Sequence, residues 1–206
     1  MAETFRVPFQ AADSEFVEKR SRFISHIWPV ETEEQAQQYI KDMKAKYYDA
    51  RHNCWCYRIG PATARYSDDG EPQGTAGQPM LKVLEREEVT NVCCVVTRYF
   101  GGVLLGTGGL VRAYTTATSR ALEAAEVVTV RSVVALDVTV DYGLYERADL
   151  LIKAAGSKLA EPEFTDKVTL RWQMPEHTEG PLLTQLQELT RGMAKVAVSE
   201  PFYAAF

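Results

Sequence analysis

The sequence predicts an α+β protein built from two domains. Three observations lead there. The chain has 206 residues, 46% hydrophobic and 25% charged, a globular composition at a length suited to one or two domains. Its first part carries two glycine-bearing loops that each feed a helix. After residue 127 the texture becomes β-branched and alternating, in the element order β-α-β-β-α-β. The change of texture puts the domain boundary near Val130, giving domains 1–129 and 130–206.

The elements follow in order. Residues 4–9 alternate weakly and suggest a first strand. Within residues 15–30, Phe23, Ser25 and Ile27 oppose Ile24, His26 and Trp28, the period-two pattern of a strand. Thr32 is placed to cap a helix, with Gln35 three residues on completing a capping box. Ala36, Tyr39, Ile40, Met43 and Tyr47 give that helix one apolar stripe. His52 to Ile59 reads as a strand ended by Gly60-Pro61. Residues 65–79 are too polar and too rich in glycine and proline for regular structure. Pro79 suits the first turn of a helix running to about Glu87.

Asn91 to Thr97 is an apolar run of strand length. After the loop that follows it, Leu110, Val111, Tyr114, Ala117, Thr118, Ala121, Leu122 and Ala125 recur at helical spacing. Residues 127–140 form a strand. Leu144, Tyr145, Ala148, Leu151, Ile152 and Ala155 mark a helix stopped by Gly156. Residues 158–164 and 167–174 read as strands joined at Thr165-Asp166. A helix through Leu182, Leu183, Leu186 and Leu189 stops at Gly192, and residues 194–199 form a last strand. This order is the ferredoxin-like pattern.

Charge and composition narrow the function. The net charge is −5 and the pI near 5.3, and both halves, divided at Val128, hold more acidic than basic residues. Neither is a basic nucleic-acid module in bulk, so any RNA contact must come from a local patch. No apolar run reaches the length of a membrane span, and residues 1–10 lack the apolar core of a signal peptide. With four cysteines whose spacing resembles no secreted framework, the chain reads as cytoplasmic, with no membrane partner.

The loop after Arg98 and Tyr99 holds Gly101, Gly102, Gly106, Thr107, Gly108 and Gly109, and Arg112 follows in the helix. A helix start presents unpaired N–H groups and the positive end of the helix dipole, which together suit an anion such as phosphate. The loop of Gly74, Thr75 and Gly77 also opens a helix. The two loops are expected side by side, facing one anionic ligand, with Arg98 and Arg112 flanking it and Arg51 or His52 extending it. The competing expectation is structural: tight turns, with the arginines paired to Asp68, Asp69 or Glu71. That acidic turn would suit a hard cation such as magnesium beside phosphate; otherwise no cofactor is implied. His52, Cys54 and Cys56 would share one strand face, but they lack the usual zinc-ligand spacing and read as core. No general base or nucleophile pair can be assembled locally.

Two stretches together are specific. Tyr66-Ser67-Asp68-Asp69-Gly70-Glu71-Pro72-Gln73-Gly74-Thr75-Ala76-Gly77-Gln78-Pro79, and Val96-Thr97-Arg98-Tyr99-Phe100-Gly101-Gly102 through Gly106-Thr107-Gly108-Gly109-Leu110-Val111-Arg112-Ala113-Tyr114, resemble the signature of the IMPACT / YigZ family. Ser21-Arg22-Phe23-Ile24 and Asp49-Ala50-Arg51-His52 resemble it too. The resemblance implies a first domain like the second domain of ribosomal protein S-five. It also implies a ferredoxin-like second domain similar to the C-terminal domain of elongation factor G. Eukaryotic members regulate translation by binding an activator of a stress kinase, through added regions without counterpart in this sequence. The expectation is therefore a non-enzymatic regulatory protein that binds RNA, the ribosome or translation factors, with its oligomeric state left open. The alternatives are an enzyme acting on a phosphorylated small molecule through the glycine loops, by fold-level analogy with sugar and mevalonate kinases, or a protein-interaction module.

Overall fold

The computed structural model describes residues 4–206 and divides them into two units, Phe5–Val128, and Thr129–Phe206 together with Thr4. At the start of the chain lies β1 (Thr4–Pro8), where the Arg6 carbonyl accepts the Thr90 amide at 2.9 Å.

The first unit is organised by β2 (Ala12–Glu18), β3 (Ser21–Pro29), β4 (His52–Ile59), β5 (Thr63–Ser67) and β6 (Val92–Tyr99). They form one antiparallel sheet in the order β2-β3-β6-β4-β5. Two helices, α2 (Gly77–Arg86) and α3 (Thr107–Ala125), cover one face through Phe23, Cys54, Met80, Cys94, Val96 and Tyr114. On the other face, α1 (Glu33–Lys46) packs Ala36 and Ile40 on Tyr57, Cys93 and Val95. With both faces covered, central β6 has no solvent side, so it reads as a continuous apolar run rather than an alternating one. Cys93 and Cys94 point to opposite faces for the same reason.

Local signals place several elements. Thr32 accepts the Gln35 amide while the Gln35 side chain returns to the Thr32 amide, the anticipated capping box. The buried stripe of α3 is Leu110, Ala113, Tyr114, Ala117, Thr118, Ala121, Leu122 and Ala125. Ala113 takes the place expected for Val111, which is 36% exposed.

Two strands of this unit were not legible in the sequence. β2 pairs with β3 through a two-residue turn at Lys19 and Arg20, both with positive φ (46° and 66°). That is the geometry of a hairpin turn usually signalled by Asn-Gly, and here neither residue announces it. β5 takes up Arg65, Tyr66 and Ser67 as an edge strand on β4, in a segment expected to be irregular. Replacing Lys19-Arg20 by Asn-Gly is expected to stabilise the fold by roughly 0.5–1 kcal/mol, because it relieves left-handed backbone at both residues. Chemical denaturation reads the change, and a lower midpoint for the Asn-Gly variant would overturn this account of the turn.

In the second unit β7 (Val127–Val140) lies antiparallel to β10 (Val168–Pro175). β11 (Val196–Val198) and β12 (Phe202–Ala205) pair with the other edge of β7. Residues 158–164 form two short pairings on β10 rather than one strand: β8 (Lys158–Leu159) and β9 (Glu163–Phe164). The apolar sides of α4 (Tyr142–Ala154) and α5 (Gly180–Leu189) close the core with Ala148, Ile152, Leu182 and Leu186 on Leu136, Val138, Leu170 and Trp172. Both helices end before glycines of positive φ, Gly156 (71°) and Gly192 (77°). Among the described residues, no helix is long and apolar enough to cross a membrane.

Candidate functional site

The acidic turn after β5 is a hub of internal bonds. Asp68 Oδ1 accepts the amides of Ala76 (3.0 Å) and Gly77 (2.8 Å), and its Oδ2 accepts that of Gly74 (2.8 Å). The start of α2 thus already holds an anion, and the anion is this carboxylate. Asp69 takes the Asn53 amide at 2.7 Å and the Lys44 ammonium at 2.6 Å, and its carbonyl accepts His52 Nδ1 at 3.0 Å. Glu71 Oε1 accepts Arg98 Nη1 and the Tyr114 hydroxyl, each at 2.8 Å. The Arg98 and Glu71 side chains are only 7% and 3% exposed. Arg98 also reaches Ser21 Oγ at 3.4 Å, and its guanidinium lies 5.6 Å from the Phe100 ring centroid.

Eight of the expected site residues, His52, Asp68, Asp69, Glu71, Gly74, Thr75, Gly77 and Arg98, therefore belong to this hub. The two glycine loops do come together, but around Glu71 rather than around an open cradle. Glu71 is carried by the first loop, and its partners Arg98 and Tyr114 lie on β6 and α3. The structural alternative weighed for Arg98 is the arrangement seen. Among the described residues, no group of three His, Cys, Asp or Glu side chains is set to hold a metal; the acidic turn is occupied by backbone amides, a lysine and an arginine.

Two glycines have a steric role. A Cβ on Gly77 would lie 2.7 Å from the Ser67 carbonyl oxygen, and one on Gly101 only 2.0 Å from the Arg20 carbonyl carbon. Gly101 thus lets the loop after β6 lie directly on the β2–β3 turn, where its amide also bonds Ser21 Oγ at 3.3 Å.

The start of α3 is built differently. Gly106 precedes it with φ 73°, no side chain caps it, and the first intrahelical bond is Leu110 to Gly106. Thr107 and Gly108 are exposed there. Beside this start runs a groove of about 390 Å³ lined by Lys19, Leu105, Gly109, Arg112, Thr116 and Arg120, with Glu18 also on its wall. Among the described residues, the side chains of Lys19, Arg20 and Arg112 make no hydrogen bond or ion pair, while Arg120 lies 4.9 Å over the Phe16 ring. Phe100 (50% exposed) and Leu104 (82% exposed) stand on the same loop. Arg51, exposed and with its side chain unpaired among the described residues, precedes His52, which pairs with Arg98 in the register of β4 on β6. The Tyr99 hydroxyl donates to Asp49 at 2.7 Å, which pushes its pKa up to about 12.

Sequence reasoning did not single out Lys19 and Arg120, which line this groove, nor Arg20 in the turn and Phe100 on the loop before α3. A signal for Arg120 existed: Arg112, Thr116 and Arg120 are spaced four apart along one helix face. The hairpin that delivers Lys19 and Arg20 had no local signal.

Nucleophilic chemistry finds little support in the surroundings. All four cysteines are buried. Burial pushes their thiols up, Cys94 to about 12, so at neutral pH they stay protonated and are poor nucleophiles. Burial likewise raises the Tyr114 phenol. A larger groove, about 1030 Å³, runs between α4 and α5, lined by Leu144, Leu150, Leu151, Leu189 and Met193 together with Arg147, Gln185, Glu188, Thr190 and Arg191. The candidate site is taken beside α3, where an uncapped helix start and a glycine-bearing loop stand next to the cations.

Comparison with known proteins gives consistent matches. A model described as the Impact N-terminal domain matches residues 19–122, and one for a domain of unknown function (DUF1949) matches residues 138–193. The chain is 35% identical over 196 residues to the IMPACT family member YvyE of Bacillus subtilis, covering 94% of this chain and 90% of that protein. It is 33% identical over 188 residues to the IMPACT family member YigZ of Escherichia coli, covering 88% and 91%. Against the Protein IMPACT of Mus musculus it is 36% identical over 115 residues, 50% of this chain and 34% of that protein. A crystal structure described as that of a hypothetical protein superposes with a TM-score of 0.61 at 29% identity, covering 97% of this chain and 99% of the other.

Proposed function

The chain belongs to the IMPACT family, and on that premise we propose that it is a cytoplasmic, non-enzymatic RNA-binding protein associated with translation. In this reading it grips RNA backbone along the strip from Arg20 to Arg120. The observation that carries the reading is a pair of cations, Lys19 and Arg112, whose side chains are left without partners on the wall of one groove, with Arg20 next to Lys19 in the turn, in a chain whose net charge is −5. Unpaired cations gathered on an acidic protein supply the local field that phosphates need. The exposed start of α3 adds amide donors at the same place.

The domain-level reading goes with it: residues 1–129 as a domain like the second domain of ribosomal protein S-five, and 130–206 as a ferredoxin-like domain. The element order of β7, α4, β8, β10, α5 and β11 supports the second. An enzymatic role on a phosphorylated small molecule has less behind it. The acidic turn that would serve a cation is tied to the fold, and the cysteines lack thiolate character.

Titration of a fluorescent RNA at several salt concentrations tests the proposal. Binding is expected to weaken as salt rises, and Arg112→Ala is expected to reduce the slope by about one contact across all sequences, with no loss of melting temperature. Binding that ignores salt, or an Arg112→Ala variant indistinguishable from the parent, would overturn it.

A further inference from the structure

We propose that the RNA taken by this strip is single-stranded and that Phe100 stacks on one of its unpaired bases. The inference rests on the RNA-binding reading above and specifies its ligand. Phe100 is half exposed on the loop that follows β6, beside Gly101, and Leu104 on the same loop is 82% exposed. Its ring is backed from within the protein. The Arg98 guanidinium lies 5.6 Å from the ring centroid, and Arg98 is itself fixed by Glu71 at 2.8 Å and Ser21 at 3.4 Å. A ring supported on a buried ion pair is held in place before any ligand arrives, so little side-chain freedom is lost on stacking.

The loop also ties this ring to the cations. Gly101, the next residue, lies so close to the Arg20 backbone that a Cβ would overlap it. Lys19, beside Arg20, lines the groove with Arg112 and Arg120. The aromatic ring thus stands one residue from the point where its loop lies on the Lys19-Arg20 turn, and ring and cations are the two parts that single-strand sites combine. A double helix keeps its bases stacked inside and offers the protein only phosphates and groove edges. It could use the cations but not the ring.

The test measures, on the full chain, the affinity for a short oligouridine and for a blunt RNA duplex of the same length, by anisotropy at one salt concentration. Wild-type protein, Phe100→Leu and Phe100→Trp are compared, each first checked by its melting curve. The single strand is expected to bind more tightly than the duplex. Phe100→Leu is expected to lower the single-strand affinity roughly tenfold, collapsing the ratio between the two RNAs, while Phe100→Trp preserves that ratio. Equal affinity for both RNAs, or a Phe100→Leu variant that keeps the wild-type ratio, overturns the single-strand assignment and leaves the RNA-binding reading standing. Failure of wild-type protein to bind either RNA overturns both.

Discussion

Arg98→Ala is expected to lower the melting temperature by roughly 10 °C or more, from a loss of about 3–5 kcal/mol. The variant leaves Glu71 buried, 8% exposed as a residue, with the Tyr114 hydroxyl as its remaining side-chain donor. An uncompensated carboxylate in that environment is far more damaging than the lost pair itself. Glu71→Gln is expected to do comparable harm from the other side, stranding the guanidinium. By contrast, replacing both partners together, Arg98→Met with Glu71→Leu, should recover much of the loss, since a buried pair roughly breaks even against well-packed apolar groups. The Arg98 Nε finds no partner among the described residues, which makes the pair an incompletely compensated one and favours that recovery. Thermal melts of the three variants decide it. A melting temperature within a degree or two of wild type for Arg98→Ala would show that the arginine is solvated in solution.

Asp68→Ala is the second large effect, expected at about 2–4 kcal/mol. It removes three charge-assisted acceptor contacts, to Gly74, Ala76 and Gly77, and the only anion at the positive end of α2 among the described residues. Asp68→Asn keeps the shape and one acceptor oxygen, so about half that loss is expected. Urea denaturation should show a lower midpoint at an unchanged slope, the sign that stability changed and compactness did not. A shift below about 1 kcal/mol for Asp68→Ala would mean that water takes over the contacts without difficulty.

These two residues also mark where the sequence stops being legible. Features set within a few residues could be read: the Thr32–Gln35 box, the apolar run of β6, the stripe of α3, and the glycines that stop α4 and α5. The loops were legible as loops feeding helices, because glycine and proline act locally. What fills them was not. Asp68 meets the start of its own loop's helix, a contact that a solvated turn would not make, and Glu71 meets partners 27 and 43 residues away. Only tertiary packing decides between an open cradle and a closed hub. β2 and β5 escaped for a related reason: Lys19-Arg20 adopts a turn that its side chains do not favour, and β5 is a polar edge strand whose pairing with β4 supplies what its sequence lacks. Phe202 to Ala205 follows Pro201 and is too short to carry a period.

The order of strands in the first unit has a consequence for synthesis. β3 lies between β2 and β6, and its pairs with β6 run from Arg22–Tyr99 to Pro29–Val92. When β3 leaves the ribosome, its partner is still more than sixty residues from leaving it. At about 5–20 residues per second, that interval is roughly 3–15 s. During it, the β2–β3 hairpin exposes an apolar edge with no neighbour, and the most distant pairing in the sheet is also the one that completes its middle. Nascent chains halted just before β6 should therefore be the aggregation-prone species of this protein, and chains halted after α3 should not.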